Sequence, residues 1–226
     1  CHSIPDAMGL VIETPIGPII HTGDFKIDHT PVDGRKIDLA TLAHYGAQGV
    51  ALLLSDSTYA EVPGYTASER VVGEALDRAI GDATGRVMVA TFASLISRVQ
   101  QVVDAAVRHD RHVTIVGRSM VESVQVAQEL GYLTLPSGIM KSLAESRKLP
   151  PEKVVLMTTG SQGEPTSALV RIAKKEHRDV EIMKGDTVII SATPIPGNEL
   201  PVSRTIDNLL RQGAKVLYDK VATVHV

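Results

Sequence analysis

The chain has 226 residues and a formal net charge of −3, with 43% hydrophobic and 22% charged residues. This composition predicts a globular protein of one large domain or slightly more, and no apolar run is long enough to predict a membrane span. The single cysteine excludes an internal disulfide framework and a cysteine-rich zinc module, so we expect a reducing, cytoplasmic setting.

The N-terminal residues carry neither an initiator methionine nor the basic and apolar segments of a signal peptide. We therefore expect that the chain starts by processing or in the middle of a longer protein. The slightly acidic total charge gives no bulk indication of nucleic-acid binding, although local basic clusters are compatible with it.

The first part of the chain has the pattern of a β-hairpin followed by a helix and a strand. Two short β-rich runs, residues 9–14 and 17–21, flank a turn that is rich in proline and glycine. A helical pattern follows at residues 39–45. An apolar strand at residues 50–55 then ends in the polar sequence Asp56-Ser57-Thr58.

From Thr66 onward, strands alternate with helices, which predicts βαβ units and a mostly parallel sheet flanked by helices. Residues 66–69 resemble a capping box that opens the first of these helices. The predicted strands are residues 86–92, 112–116, 154–157, 187–191 and 215–218, and the predicted helices are residues 66–80, 94–109, 120–130 and 200–211. We place a domain boundary between residues 66 and 67, and we expect residues 135–151 to be a surface connection.

The ends of these strands are the predicted binding region, because ligands of open α/β sheets sit beyond the carboxyl ends of the strands. Gly117-Arg118-Ser119 opens a helix, where N-terminal amides and a guanidinium both favour an anion. Residues 158–164 are small, polar and rich in glycine, so this segment can approach a ligand closely. The alternatives are an ordinary helix cap and an ordinary strand-to-helix turn. We expect Arg98 and the basic cluster at residues 174–178 to face solvent.

Two residues near the N-terminus have the chemistry of metal ligands. Pro5 keeps the segment after His2 out of a helix or central strand, so this imidazole sits on a loop and can offer a ring nitrogen. Asp24 directly follows a β-run, and Gly23 lets the backbone turn sharply before it. A carboxylate at such a position can bridge two cations, and a pair of cations can clamp a phosphoryl group. The alternative for either residue is a surface or capping role.

Seven segments, in this order along the chain, resemble the ribonuclease J family, a bacterial and archaeal member of the β-CASP group in the metallo-β-lactamase superfamily. They are His-Ser-Ile-Pro-Asp-Ala at 2–7, His-Thr-Gly-Asp-Phe-Lys at 21–26, Ser-Asp-Ser-Thr at 55–58, Ala-Thr-Phe-Ala-Ser at 90–94, Val-Gly-Arg-Ser-Met at 116–120, Thr-Thr-Gly-Ser-Gln-Gly-Glu at 158–164 and Pro-Ile-Pro-Gly-Asn-Glu at 194–199. The resemblance implies an α/β protein, with part of a metallo-β-lactamase αββα sandwich over residues 1–66 and a β-CASP domain over residues 67–226. It also implies an enzyme that uses two zinc ions to cleave RNA, both as a 5′-to-3′ exonuclease preferring a 5′-monophosphate and as an endonuclease.

The same resemblance implies roles for individual residues. His2 is similar to a ligand of one zinc ion, Asp24 to the aspartate that bridges both, and Asp56 to the acidic residue that supports the metal site. His225 resembles the first histidine of a His-Val-Ser-Gly-His loop that holds the RNA phosphate. We expect contacts to RNA or phosphate from six residues of the β-CASP part, which are Arg118, Ser119, Ser161, Gln162, Asn198 and His225. Zn²⁺ is the expected metal, with Mn²⁺ or Mg²⁺ as alternatives, and a homodimer or homotetramer is the expected assembly.

The sequence departs from the family pattern where most zinc ligands are expected. The His-x-His-x-Asp-His cluster is absent, as is the rest of the loop that His225 would begin. A catalytic zinc site needs about three ligands from the protein, so we expect a fragment that is inactive alone. The alternative is a non-catalytic RNA-binding or scaffold protein. A small-molecule hydrolase is disfavoured, because such a substrate does not require the long α/β part after Thr66.

Overall fold

The computed structural model describes His2 and residues 4–226 of the chain. The chain divides into two compact units, an N-terminal unit at Cys1–Arg70 and a C-terminal unit at Val71–Val226. The domain boundary that the sequence predicts, after residue 66, falls just before this division. Among the helices of the described residues, none has both the length and the apolar character that a bilayer crossing requires.

The N-terminal unit contains a three-stranded sheet and one helix. Strand β1 (Leu10–Ile12) pairs antiparallel with β2 (Ile19–His21), which confirms the predicted hairpin. Strand β2 also pairs in parallel with β3 (Leu52–Leu54), and helix α1 (Leu39–Gln48) lies between these two strands in the chain. Because β2 and β3 are parallel and in register, the residues that follow both strands emerge at one edge of the sheet.

The apolar strand β3 is only half covered in this unit. Leu52, Leu53 and Leu54 are 48%, 58% and 46% exposed, since β3 lies at the edge of the sheet and α1 buries none of its own side chains. The described residues of this unit form one sheet and one helix. Their assignment to part of an αββα sandwich therefore stays a prediction.

The C-terminal unit is built on a five-stranded sheet whose paired strands are all parallel. In the order of the sheet, the strands are β5 (His112–Val116), β6 (Val154–Thr158), β4 (Val87–Ala90), β7 (Thr187–Ile190) and β8 (Lys215–Leu217). The helices are α2 (Glu69–Asp82), α3 (Ile96–Arg108), α4 (Arg118–Glu129), α5 (Leu143–Ser146), α6 (Ala168–Ala173) and α7 (Glu199–Arg211). This arrangement confirms the predicted α/β fold with a parallel sheet flanked by helices.

The two faces of this sheet pack against different helices. Val87 and Val89 of the central strand β4 join one apolar cluster with α2, α3 and α4, whereas Met88 and Ala90 join a second cluster with α6 and α7. Side chains alternate between the faces of a strand, so four consecutive buried residues serve both clusters. The sheet is therefore covered on both faces, and its strand ends are the accessible part of the layer.

The start of α2 differs from the sequence prediction. Residues 66–69 predicted a capping box, but α2 begins at Glu69, and the Glu69 amide donates to the carboxylate of Asp28 at 3.0 Å. The Glu69 side chain forms an ion pair with Lys26 at 3.2 Å. The carboxylate of Asp28, a distant residue, thus accepts the hydrogen bond at the start of α2 in place of a local capping side chain. A local sequence pattern cannot reveal such a partner.

Two further elements were not predicted. The segment at residues 135–151, expected to be a surface connection, contains the short helix α5, and a capping box between Ser142 and Glu145 begins it. Met140 in the same segment makes a parallel bridge with Val113 of β5. The short helix α6 follows the glycine-rich segment after β6. Both helices have at most six residues, which is too short for a clear helical period in the sequence.

Replacing Gly163 by alanine is expected to destabilise the protein by about 3 kcal/mol, because a Cβ would overlap α7 and the backbone is left-handed. The Gly163 φ is +74°, and a Cβ would lie 2.7 Å from the Pro201 carbonyl carbon and 2.8 Å from the Val202 nitrogen. Urea unfolding measures the difference in the free energy of unfolding between the variant and the wild type.

Gly138→Ala is the control, since its φ is +78° and no described heavy atom lies within 4 Å of its Cβ position. This control is expected to lose about 1 kcal/mol. Equal losses in the two variants would contradict the prediction.

Candidate functional site

Asp56 occupies the edge of the sheet in the N-terminal unit, directly after β3. Its amide donates to the Thr22 hydroxyl at 3.0 Å, which ties the end of β3 to the end of β2. Its carboxylate accepts hydrogen bonds from the Thr58 amide at 2.9 Å and the Thr58 hydroxyl at 2.7 Å. These two bonds lower the pKa of Asp56, and the Phe25 amide and the charge of His2 lower it further. Asp56 is thus an ionised carboxylate at neutral pH.

Asp24 immediately precedes Phe25, whose amide donates a hydrogen bond to the Asp56 carboxylate. The side chain of Asp24 is exposed. Gly23, immediately before it, has a φ of +61° and its amide donates to the His21 ring at 3.0 Å. The sharp turn at Gly23 is therefore what places Asp24 at the end of β2.

His2 belongs to the same neighbourhood, because its charge acts on Asp56. The imidazole is half-buried, and its Nδ1 atom is buried without a hydrogen-bond partner among the described residues. Buried polar atoms nearly always have a partner, so this nitrogen has an open hydrogen-bonding or ligand position. The structure thus relates His2 directly to Asp56, and it relates Asp24 to Asp56 only through the adjacent residue Phe25.

These donors do not complete a metal site. Within the described residues there is no group of three or more histidine, cysteine, aspartate or glutamate side chains that could hold an ion. A catalytic zinc ion takes about three protein ligands. The residues present fit part of a metal centre at most, and the remaining ligands would have to come from elsewhere.

A cavity of about 720 Å³ adjoins Asp56 in this unit. Its wall includes two exposed aromatic side chains, Tyr59 and Tyr65, and Lys26, which is held in its ion pair with Glu69. The tyrosines were not predicted, because isolated exposed aromatic residues on a loop have no periodic pattern. A carboxylate beside aromatic rings gives this cavity one charged and one apolar wall.

The second candidate region is a cavity of about 760 Å³ at the carboxyl ends of β4, β5 and β6 in the C-terminal unit. It is lined by Arg118, Ser119 and Ser161, which the sequence predicts as phosphate contacts, and also by Arg171 and His177. Helix α4 begins here at Arg118, and its N-cap residue Gly117 provides no side-chain cap. Its first amides are therefore not bonded by a capping side chain, a state that favours an anionic ligand.

Individual side chains of this cavity differ in exposure and charge. Ser161 is 2% exposed, whereas the side chains of Arg118 and Arg171 are exposed to solvent. Burial and the neighbouring charge of Arg171 lower the pKa of His177, and its Nδ1 accepts the amides of residues 179 and 180. His177 is thus neutral at pH 7 and half-buried, whereas the other residues of the basic cluster at residues 174–178 are exposed directly after α6, as predicted. Glu122 and Glu164 also line the cavity and limit its positive charge.

Gln162 and Asn198 are not in the lining of this cavity. Gln162 is 4% exposed, and its amide nitrogen donates to the Thr193 carbonyl at 2.9 Å. Its amide oxygen accepts from the Ile195 amide at 2.8 Å and from the Asn198 side chain at 3.4 Å. Gln162 therefore joins the loop after β6 to the loop after β7, and this bridge occupies its polar atoms.

His225 lies in the irregular segment after β8 and is half-buried. The preceding residue, Val224, is completely buried, and its carbonyl accepts hydrogen bonds from Arg98 and Ser191. The expectation that Arg98 faces solvent is wrong, because its exposure is 0%. Arginine is almost never fully buried unless it is paired. The sequence showed only that Arg98 lies in a helix, so solvent exposure, the usual situation of a helical arginine, was predicted.

Comparison with known proteins gives the family. The family model for the β-CASP domain of ribonuclease J matches residues 84–209. The chain is 50% identical to ribonuclease J of Synechocystis over 100% of its length and 51% identical to that of Thermus thermophilus over 99%. It is 48% identical to ribonuclease J of Helicobacter pylori strain J99 over 100% of its length.

These relatives are much longer than the chain. The alignments cover 35%, 39% and 32% of the Synechocystis, Thermus and Helicobacter proteins, so the chain spans about a third of their length. The similarity nevertheless extends over both units of the chain and includes the parallel sheet with its cavity. The chain therefore belongs to the ribonuclease J family and includes the β-CASP domain of that family.

Proposed function

We propose that this chain is part of a metal-dependent ribonuclease that hydrolyses RNA phosphodiester bonds in the cytoplasm. The observation that carries this proposal is the ionised carboxylate of Asp56, which accepts the Phe25 amide and lies close enough to His2 for the charge of that imidazole to lower its pKa. Relatives named ribonuclease J at 48–51% identity support the same chemistry. The whole enzyme includes residues beyond the part represented in this chain.

Three residues of the N-terminal unit have proposed roles in the metal site. Asp24 would hold both zinc ions and His2 would hold one of them, while Asp56 stays ionised and orders the loop that presents Asp24. When bound, a pair of zinc ions supplies Lewis-acid stabilisation of phosphate charge and lowers the pKa of water; Mn²⁺ or Mg²⁺ are the alternatives. The other ligands come from parts of the longer protein outside this chain.

The C-terminal unit is proposed to hold the RNA backbone. Arg118, Ser119 and Ser161 face the cavity at the strand ends, where a guanidinium and helix amides favour a phosphate group. Gln162 and Asn198 shape the neighbouring loops, and His225 contacts phosphate near the reacting bond. The proposed substrates are RNAs with a 5′-monophosphate, degraded from the 5′ end and also cut internally, and the proposed assembly is a homodimer or homotetramer.

The proposal is tested with the complete enzyme. Zinc-loaded or manganese-loaded protein is incubated with one RNA that carries either a 5′-monophosphate, a 5′-triphosphate or a 5′-hydroxyl. We expect metal-dependent cleavage that is fastest for the 5′-monophosphate and that a chelator abolishes. Cleavage no faster than that of the Asp24→Ala variant would overturn the proposal.

The alternative function is RNA binding without catalysis, and the partial donor set of the described residues is compatible with it. Such a protein would bind the same RNAs without cleaving them at any metal concentration. The cleavage assay together with a filter-binding measurement distinguishes the two functions. Binding without cleavage by the complete protein would support the second.

Replacing Arg118 by alanine is expected to weaken RNA binding by about tenfold, because the variant loses one charge-assisted contact to phosphate. The slope of log Kd against log salt should decrease by about one counterion, since one phosphate contact is lost. Fluorescence anisotropy with a labelled RNA over a salt series measures both quantities. Arg211→Ala is the control, because Arg211 is exposed in the last turn of α7 and does not line the cavity. Equal effects of the two substitutions would contradict the proposed phosphate site.

A further inference from the structure

Arg98 is a fully buried arginine in the first turn of α3. Its side chain is 0% exposed, and its Nε donates to the Gln101 side chain at 3.1 Å. Its Nη1 donates to the Ser191 hydroxyl and to the Val224 carbonyl, the latter at 3.0 Å. One guanidinium therefore joins a helix, the end of strand β7 and the segment after β8.

Ser191 completes this arrangement from the sheet. It follows β7 directly, is 0% exposed, and its hydroxyl donates to the Val224 carbonyl at 2.6 Å. The Val224 carbonyl thus accepts two hydrogen bonds, which uses the full capacity of a carbonyl oxygen. We call Arg98, Ser191 and the Val224 carbonyl the carbonyl clamp.

The segment that the clamp holds has little other regular structure. Residues 218–226 lie outside any helix or strand, and the Val224 amide bonds only locally, to the Ala222 carbonyl at 2.8 Å. The Val224 side chain is nevertheless completely buried in the cluster with α2, α3 and α4. Ala222 and Val226 also pack against this cluster, so the clamp and these apolar side chains together fix the backbone on either side of His225.

A buried guanidinium is a costly way to fill this space. Replacing buried charges by apolar residues of similar volume is often neutral or stabilising, so stability alone does not account for an arginine here. Arginine differs from leucine or methionine in its five donors of fixed direction. Hydrogen bonds of fixed direction are useful where the backbone must hold an adjacent side chain in one orientation. The residue next to Val224 is His225.

We propose that Arg98 and Ser191 are positioning residues that fix the direction of His225 through the Val224 carbonyl. This inference rests on the proposed function, in which His225 contacts RNA phosphate near the reacting bond. Neither residue touches the substrate. Their effect on catalysis therefore passes through His225 and disappears when that imidazole is absent.

The test uses the complete enzyme with Arg98→Met and Ser191→Ala, each made with His225 present and in a His225→Ala background. With His225 present, we expect kcat/KM for RNA to fall by roughly tenfold or more, as misdirection of one contact group would cause. In the His225→Ala background, the same substitutions should change kcat/KM by less than about twofold, because residues that act as one unit are not additive. Equal losses in both backgrounds would overturn the proposal.

Two further measurements separate positioning from general damage. Arg108→Met is the matched control on α3, because Arg108 is 55% exposed and pairs with Asp77 at the surface; it should leave kcat/KM unchanged. Arg98→Lys should recover part of the activity that Arg98→Met loses, since an ammonium can still reach one acceptor. If Arg98→Met does not fold, the smaller change Ser191→Ala carries the test.

Hydrogen exchange gives a readout that does not depend on nuclease activity. Residues 222–226 should exchange faster in Ser191→Ala than in the wild type, while β4 and β6 keep their protection. Unchanged exchange at residues 222–226 would overturn the clamp even if the protein cleaves RNA. Absence of cleavage by the wild type would instead refute the proposed function, and faster exchange would still support the clamp.

Discussion

Asp24→Ala is expected to lower kcat/KM for RNA by roughly 10³-fold or more in the complete enzyme, since a two-metal clamp contributes several kcal/mol of charge stabilisation. The side chain is exposed and makes no hydrogen bond that would hold the described fold together. Stability should therefore stay close to that of the wild type. A steady-state cleavage assay and a thermal unfolding curve measure the two quantities on the same sample.

Asp33→Ala provides the matched control for Asp24→Ala. Asp33 is also an exposed aspartate in the N-terminal unit, and its carboxylate accepts the nearby Arg35 amide at 3.0 Å. We expect its activity to stay within about twofold of the wild type, as for most surface substitutions. Zinc content by mass spectrometry should fall in Asp24→Ala alone. Full zinc content and full activity in Asp24→Ala would show that this carboxylate does not hold the metal.

The larger elements of the fold could be predicted from the sequence because their patterns are regular. Alternation of apolar runs with helical periods gave the parallel sheet and the long helices, and β5 begins and ends at the predicted residues, His112 and Val116. The short helices α5 and α6 were missed, since six residues or fewer contain less than two helical turns. The prediction of a local capping box for α2 was wrong, because the acceptor of the Glu69 amide is Asp28, a residue far away in the chain.

The candidate site was predictable only where local chemistry decides position. Arg118 and Ser119 follow a strand and open a helix, so topology alone places them at the edge of the sheet. Gln162 looked equally suitable, but a tertiary bridge to the loop after β7 occupies its polar atoms. The prediction that Arg98 faces solvent was wrong for a similar reason. Its acceptors Ser191 and Val224 are about a hundred residues further along the chain. Sequence patterns identify which groups are present and leave open which partner each group finds.

Gly23→Ala is expected to reduce activity by about 10²-fold without removing any functional side chain, because a displacement of the order of 1 Å has this effect on reacting geometry. The Gly23 φ is +61°, a conformation that L side chains rarely adopt. A Cβ at this position would lie 2.6 Å from the Met8 carbonyl oxygen, which is a backbone atom and not the end of a flexible side chain. The turn must therefore open, and Asp24, the next residue, moves with it.

The control for this variant is Gly34→Ala in the same unit. Its φ is +74°, and no described heavy atom lies within 4 Å of the Cβ position, so this variant carries the backbone strain without the overlap. It should lose about 1 kcal/mol of stability and keep its activity. Gly23→Ala should lose zinc as well as activity, as measured by mass spectrometry and RNA cleavage on the same preparations. Wild-type zinc content and wild-type cleavage in Gly23→Ala would contradict this prediction. The turn would then have changed without consequence for the metal, so the end of β2 would not determine the position of the Asp24 carboxylate.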